Sequence, residues 1–153
     1  MTAATPHQLE LNRFTPNGLA QYERCPLQFF YAQHEELRGL WYVPNPALFF
    51  GQLLHAVLRD LFRAGGPHRV PWEWVRQQYR ERWRDLDPKA YGFPSRHAAV
   101  EDFRDGRHAL RRYYRSFRAE ESPDLEFLRI EDPFQIRLAD VTLSGRVDRL
   151  DRL

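Results

Sequence analysis

The sequence is poor in cysteine and lysine, and it contains no long apolar run. Its single cysteine, Cys25, excludes an internal disulfide, and one lone thiol fits a reducing compartment, so a cytoplasmic location is expected. No apolar stretch approaches the roughly 18 residues of a membrane span, which excludes a helical membrane anchor within this sequence. The opening MTAATPHQLELNRF has no basic segment followed by an apolar one, and no secretory signal is expected there. Lysine occurs once, at Lys89, against 22 arginines. Arginine forks grip phosphate bidentately, but these arginines are spread through the whole chain, as a GC-rich coding sequence would write them. The formal charge of only +2 does not by itself argue for nucleic acid.

What is present describes one ordinary globular domain of 153 residues, with 42% apolar and 29% charged side chains. Thr15 and Pro16 make a helix start, and the pattern Leu19, Tyr22, Leu27, Phe30, Tyr31 predicts two short helical segments broken at Cys25-Pro26. Asn45-Pro46 opens a longer helix to about Arg63, with a broad apolar face and a Gly65-Gly66-Pro67 stop. A third helix follows Pro71 and ends before Asp87-Pro88, and Ser95 caps a fourth that runs to about Glu120.

At Ser122-Pro123 the apolar period changes from 3.6 to 2. Leu128, Ile130, Phe134, Ile136 and Leu138 mark one strand, Ala139-Asp140 a tight turn, and Val141, Leu143 and Val147 a second strand. The expected class is α/β: a helical part over residues 14–120 feeding a β-hairpin over 125–153. A two-stranded hairpin is marginal alone, so it reads as the first hairpin of a larger mixed sheet whose core these residues leave incomplete.

The residues able to carry chemistry cluster late. Asp148 stands near the end of the second strand, on the face of Thr142, Ser144 and Arg146, with Gly145 leaving room for a close approach. Glu131 precedes Asp132-Pro133 on the partner strand, on its polar side. A strand-end carboxylate is a suitable ligand for a divalent cation, or else a solvated residue paired with Arg146 or Arg149. His55 lies between Leu54 and Val57 in the long apolar helix. A histidine there reads either as a partly buried core residue or as a metal ligand facing a carboxylate. His34, His97 and His108 lack patterned partners and read as surface residues.

Three motifs occur in order: Tyr22-x-x-Cys25-Pro26-x-x-Phe29-x-Tyr31, Gly51-x-x-x-His55-x-x-Leu58 and Leu143-x-Gly145-x-x-Asp148-Arg149. Together they resemble the RecB-type branch of the PD-(D/E)xK nuclease superfamily, which includes RecB and AddB nuclease domains and CRISPR-associated RecB-like exonucleases. The resemblance runs from Phe14 to Leu153 and implies a restriction-endonuclease-like fold. It also implies Mg²⁺- or Mn²⁺-dependent hydrolysis of DNA in repair or recombination, with a helicase or another nuclease-complex subunit as a further partner. His55 and Asp148 fall on that branch's metal ligands, and the match raises Glu131 less strongly, as an auxiliary acidic residue of the catalytic site.

The branch's next motif, an acid, a spacer and a lysine, is expected on the strand after Asp148, and the chain ends five residues past that aspartate. Asp87-Pro88-Lys89 has the right letters but precedes Asp148, and Pro88 disfavours a central strand. The expectation is therefore an incomplete and inactive nuclease fragment. Some relatives bind a [4Fe–4S] cluster through a cysteine in the Cys25-Pro26 setting, which needs three more thiolates and implies a longer parent. Two readings compete with the nuclease. One is a non-catalytic DNA-binding or protein-interaction module, with Arg107, Arg111, Arg112, Arg115 and Arg118 on phosphates and Tyr113 and Tyr114 stacking on bases. The other is a helical adaptor with a structural hairpin, which expects His55 and Asp148 far apart.

Overall fold

Helix starts set the frame. In the computed structural model, which describes residues 13–33, 37, 43–84 and 86–152, the Thr15 hydroxyl accepts the Gly18 N–H at 3.0 Å. Pro16 then opens α1 (Pro16–Arg24). The backbone turns extended at Cys25 (φ −160°), and α2 runs Pro26–Gln33. Before α1, Arg13–Phe14 form a short strand, β1. This departs from the expectation that residue 14 begins the helical part: β1 pairs in parallel with a later strand, Arg13 beside Thr142 and Phe14 beside Leu143. Phe29 is buried here, stacked on Phe14 at 5.9 Å and edge-on to Tyr22 at 5.6 Å.

The chain divides into two compact units: residues 1–41 with 132–147, and residues 42–131 with 148–153. The second is built on three helices, α3 (Pro46–Arg63), α4 (Trp72–Arg84) and α5 (Arg96–Glu120). Asn45 caps α3 by accepting the Ala47 N–H at 3.0 Å, and Ser95 caps α5 by accepting the Ala98 N–H at 3.1 Å. Gly65 (φ +106°) and Gly66 (φ +77°) end α3 in backbone conformations that glycine adopts freely. A β-carbon on Gly66 would sit 2.6 Å from the Phe127 ring.

Leu53, Val57 and Leu61, at helical spacing on α3, meet Val75 and Tyr79 of α4 and Leu110 and Tyr114 of α5. Val57, Leu61 and Val75 are fully buried, each contributing roughly 1.5–3 kcal/mol of apolar transfer. The two core tyrosines satisfy their hydroxyls internally. Tyr79 donates to the Phe103 carbonyl at 3.2 Å and Tyr114 to the Val70 carbonyl at 2.7 Å. Burial, with the negative charges of Asp102 and Asp105 adding, pushes the Tyr79 hydroxyl far above the ordinary phenolic range.

Three strands form a sheet in the order β1-β3-β2, with β2 spanning Glu126–Leu138 and β3 Val141–Arg152. Ala139 adopts φ +53° in the turn between them. Pro133 stays within β2, as the edge position of that strand allows. The space at Gly145 is taken by the Phe134 ring of β2, 2.6 Å from where a β-carbon would be. The group that Gly145 admits is thus an aromatic ring of the neighbouring strand.

Candidate metal centre

His55 leaves α3 on the side away from its buried face, because Leu53 and Val57 flank it by two residues in each direction. Its side chain is 58% exposed, which rules out the core-histidine reading. Glu131 and Asp148 come from β2 and β3. Glu131 holds the left-handed backbone (φ +53°) that a non-glycine residue rarely adopts inside a strand. That conformation costs about 1–2 kcal/mol and breaks the regular alternation of β2 where the carboxylate turns to α3. His55 Nδ1 lies 3.5 Å from Glu131 Oε1 and 3.8 Å from Asp148 Oδ1. The three ligand atoms all fall within 4.8 Å of one another. They share a cavity of about 220 Å³ with Leu58, Arg59 and Tyr113. The helical-adaptor reading, which expects His55 and Asp148 far apart, does not fit this geometry.

The neighbour of Asp148 explains how the strand end is held. Arg149 points to the helices, its guanidinium over Phe62 at 4.5 Å, Phe117 at 4.9 Å and Phe127 at 5.6 Å. It donates to Asp151 Oδ2 at 2.8 Å and to the Tyr113 hydroxyl at 3.2 Å. Partial burial raises the Tyr113 hydroxyl above its ordinary range, and the charge of Arg149 partly offsets this. Sequence reasoning did not single out Arg149 and Asp151 as a pair. The signal was there, since both continue the face of Val141, Leu143 and Val147, so charge was due to point inward.

The sequence matches the family model of the PD-(D/E)XK nuclease superfamily over residues 13–153. The chain belongs to that superfamily. No curated protein and no solved structure matches it. Among the described residues, the mixed α/β arrangement of five helices and a three-stranded sheet is consistent with the restriction-endonuclease-like fold. Membership implies nuclease chemistry on DNA, and nucleases of this superfamily generally use divalent cations such as Mg²⁺.

The donor set fits such an ion. Two carboxylate oxygens suit Mg²⁺ or Mn²⁺, and one imidazole is better tolerated by Mn²⁺. The remaining candidates lie elsewhere. Arg111 and Arg115 are exposed on α5 and do not line the cavity. His97 pairs with Glu101 at 3.4 Å on the surface, and His108 is exposed. His34 lies outside the described residues. Asp87-Pro88-Lys89 sits in a turn, where the Asp87 carboxylate accepts the Lys89 N–H at 3.1 Å. Cys25 is half-buried at the end of α1. With one thiolate of the four required, these residues do not fit a [4Fe–4S] cluster. Among the described residues no helix is long and apolar enough to cross a membrane.

Proposed function

We propose that this chain supplies the His55–Asp148 side of a Mg²⁺- or Mn²⁺-dependent deoxyribonuclease of the RecB-like exonuclease type. On this reading it acts in cytoplasmic DNA repair or recombination beside a helicase or another nuclease subunit. The observation that carries the reading is the convergence of His55 Nδ1, Glu131 and Asp148 within 4.8 Å, from a helix and a hairpin far apart in sequence. A divalent cation bound there supplies positive charge to a phosphoryl oxygen and lowers the pKa of a bound water. Asp148 and His55 would hold such an ion, joined by the Glu131 carboxylate, which is 14% exposed. Arg149 keeps the Asp148 backbone in place through its aromatic and Asp151 contacts.

The one lysine, Lys89, is neither in the triad nor in its cavity, so the lysine that orients the nucleophile in relatives has no counterpart at this centre. The 153-residue chain alone is therefore expected to hold the ion and to cleave DNA poorly. Cys25 enters a cluster only where a longer parent supplies three further thiolates. Paramagnetic Mn²⁺ titrated into the ¹⁵N-labelled protein should broaden the amide signals of residues 55, 131 and 148 first. Broadening that begins elsewhere and spares these residues contradicts the reading.

A second reading, a DNA-binding or protein-interaction module without catalysis, rests on the exposure of Arg107, Arg111, Arg112, Arg115 and Arg118 along α5. It expects DNA affinity with a steep salt slope in EDTA, weakened by Arg111→Glu with Arg115→Glu.

A further inference from the structure

Beside the α4–α5 connection lies a cavity of about 600 Å³, within the range that takes an organic ligand. Its floor is apolar: Trp83 and Phe93, packed edge to face at 6.0 Å, with the exposed Val100 as one wall. Its rim is cationic, carrying the exposed Arg84, Lys89 and Arg96. The turn that presents Lys89 is firmly built. Gly92 (φ +79°) lies so close to Pro44 that a β-carbon would sit 2.4 Å from its carbonyl oxygen, and the Phe93 N–H is held by the Pro88 carbonyl at 3.0 Å.

A row of arginines leads to this rim. Arg76, Arg80 and Arg84 follow one another at four-residue spacing on the exposed side of α4, so one guanidinium stands every ~6 Å along the helix axis. They line a shallow depression with Glu73, Gln77 and Glu81, and Arg84 belongs to both hollows. Glu81 is occupied by the amides of Gln77 and Gln78, at 2.9 and 3.3 Å, and Asp87 by the Lys89 N–H. Among the described residues, the two hollows carry Arg76, Arg80, Arg84, Lys89 and Arg96 beside Glu73, Glu81 and Asp87.

We propose that this cavity receives one nucleotide of a single strand of DNA, its base against Trp83, Phe93 and Val100 and its phosphate on Lys89 and Arg96. The arginine row then carries the adjoining backbone. Apolar floor and cationic rim match the two halves of a nucleotide, and a base enters a cavity only when it is unstacked, which favours a single strand over a duplex. The site rests on DNA being the substrate implied by the superfamily, and is independent of the His55 centre.

The test is fluorescence anisotropy of a labelled oligothymidylate of about twelve nucleotides with the full chain in EDTA. Lys89→Glu with Arg96→Glu should weaken binding roughly ten-fold or more. Val100→Trp, which fills the cavity without altering charge, should weaken it several-fold. Affinity for a duplex of the same length should stay within about two-fold of wild type in Val100→Trp, whereas the charge reversal weakens both forms through the shared phosphate term. Thermal melting identifies any variant that is not folded, and Lys89→Ala, a truncation at the surface, then serves in its place. Single-strand affinity that does not move overturns the proposal, as does an equal loss for duplex in Val100→Trp. Tighter binding of oligouridylate than of oligothymidylate overturns the assignment to DNA. Calorimetric Mn²⁺ binding, unchanged in the charge variants, separates a failure here from a failure of the cation centre.

Discussion

At the scale of single residues, Glu131 and Tyr79 show how local geometry differs from residue type. Glu131 holds φ +53°, so its removal has two effects of opposite sign. Glu131→Gly and Glu131→Ala both delete the carboxylate, but only glycine relieves the backbone. Urea denaturation should find the glycine variant more stable than the alanine variant by about 1 kcal/mol, while both bind Mn²⁺ more weakly than wild type. Equal stability would mean that the strand carries no strain there. Tyr79 has its hydroxyl proton retained far above the ordinary phenolic range, so the folded state binds more protons than the unfolded state once the pH passes about 10. Stability should therefore be flat with respect to this group below that pH and fall as pH rises beyond it. Tyr79→Phe should cost about 1 kcal/mol at neutral pH and flatten the alkaline decline. An alkaline limb identical to wild type would exclude Tyr79 as its source.

At the scale of elements, the helix boundaries were legible because each is written in local chemistry. Thr15-Pro16, Asn45-Pro46 and Ser95 cap as their side chains dictate, and Gly65-Gly66 stop α3 by their positive φ. β1 was not legible. Two residues, Arg13–Phe14, carry no period, and only pairing with Thr142 and Leu143 makes them a strand. The convergence of His55, Glu131 and Asp148 was legible only through the resemblance of the motifs around them, since no periodicity says that a helix and a hairpin meet. The exposure of His55 does follow from its offset against Leu53 and Val57. Gly106 gives an element-scale expectation that runs against intrinsic propensity. Alanine is ordinarily better than glycine inside a helix by about 1 kcal/mol. On α5, however, a β-carbon at 106 would meet the Tyr79 hydroxyl oxygen at 2.2 Å and the Phe50 ring at 2.8 Å. Gly106→Ala should lower stability by about 1–3 kcal/mol, read from the urea midpoint. A gain in stability would show that the α4–α5 contact yields without strain.

At the scale of the whole molecule, an imidazole on α3 and two carboxylates on the hairpin come to one point, in a chain that belongs to a superfamily of nucleases, and the proposed function is built on that point. The proposed centre requires His55, Glu131 and Asp148 to act as one ligand set. Ligand binding to the folded state alone should also raise stability, by about 2.7 kcal/mol at a hundred times the dissociation constant. The most direct measurement is calorimetric titration of Mn²⁺ into the wild-type chain and into His55→Ala and Asp148→Ala, each verified as folded by circular dichroism. One ion per chain is expected in the wild type, with affinity reduced ten-fold or more in each variant, as loss of one of three ligands requires (about 1.4 kcal/mol or more). Wild-type affinity retained in both variants would contradict the shared centre.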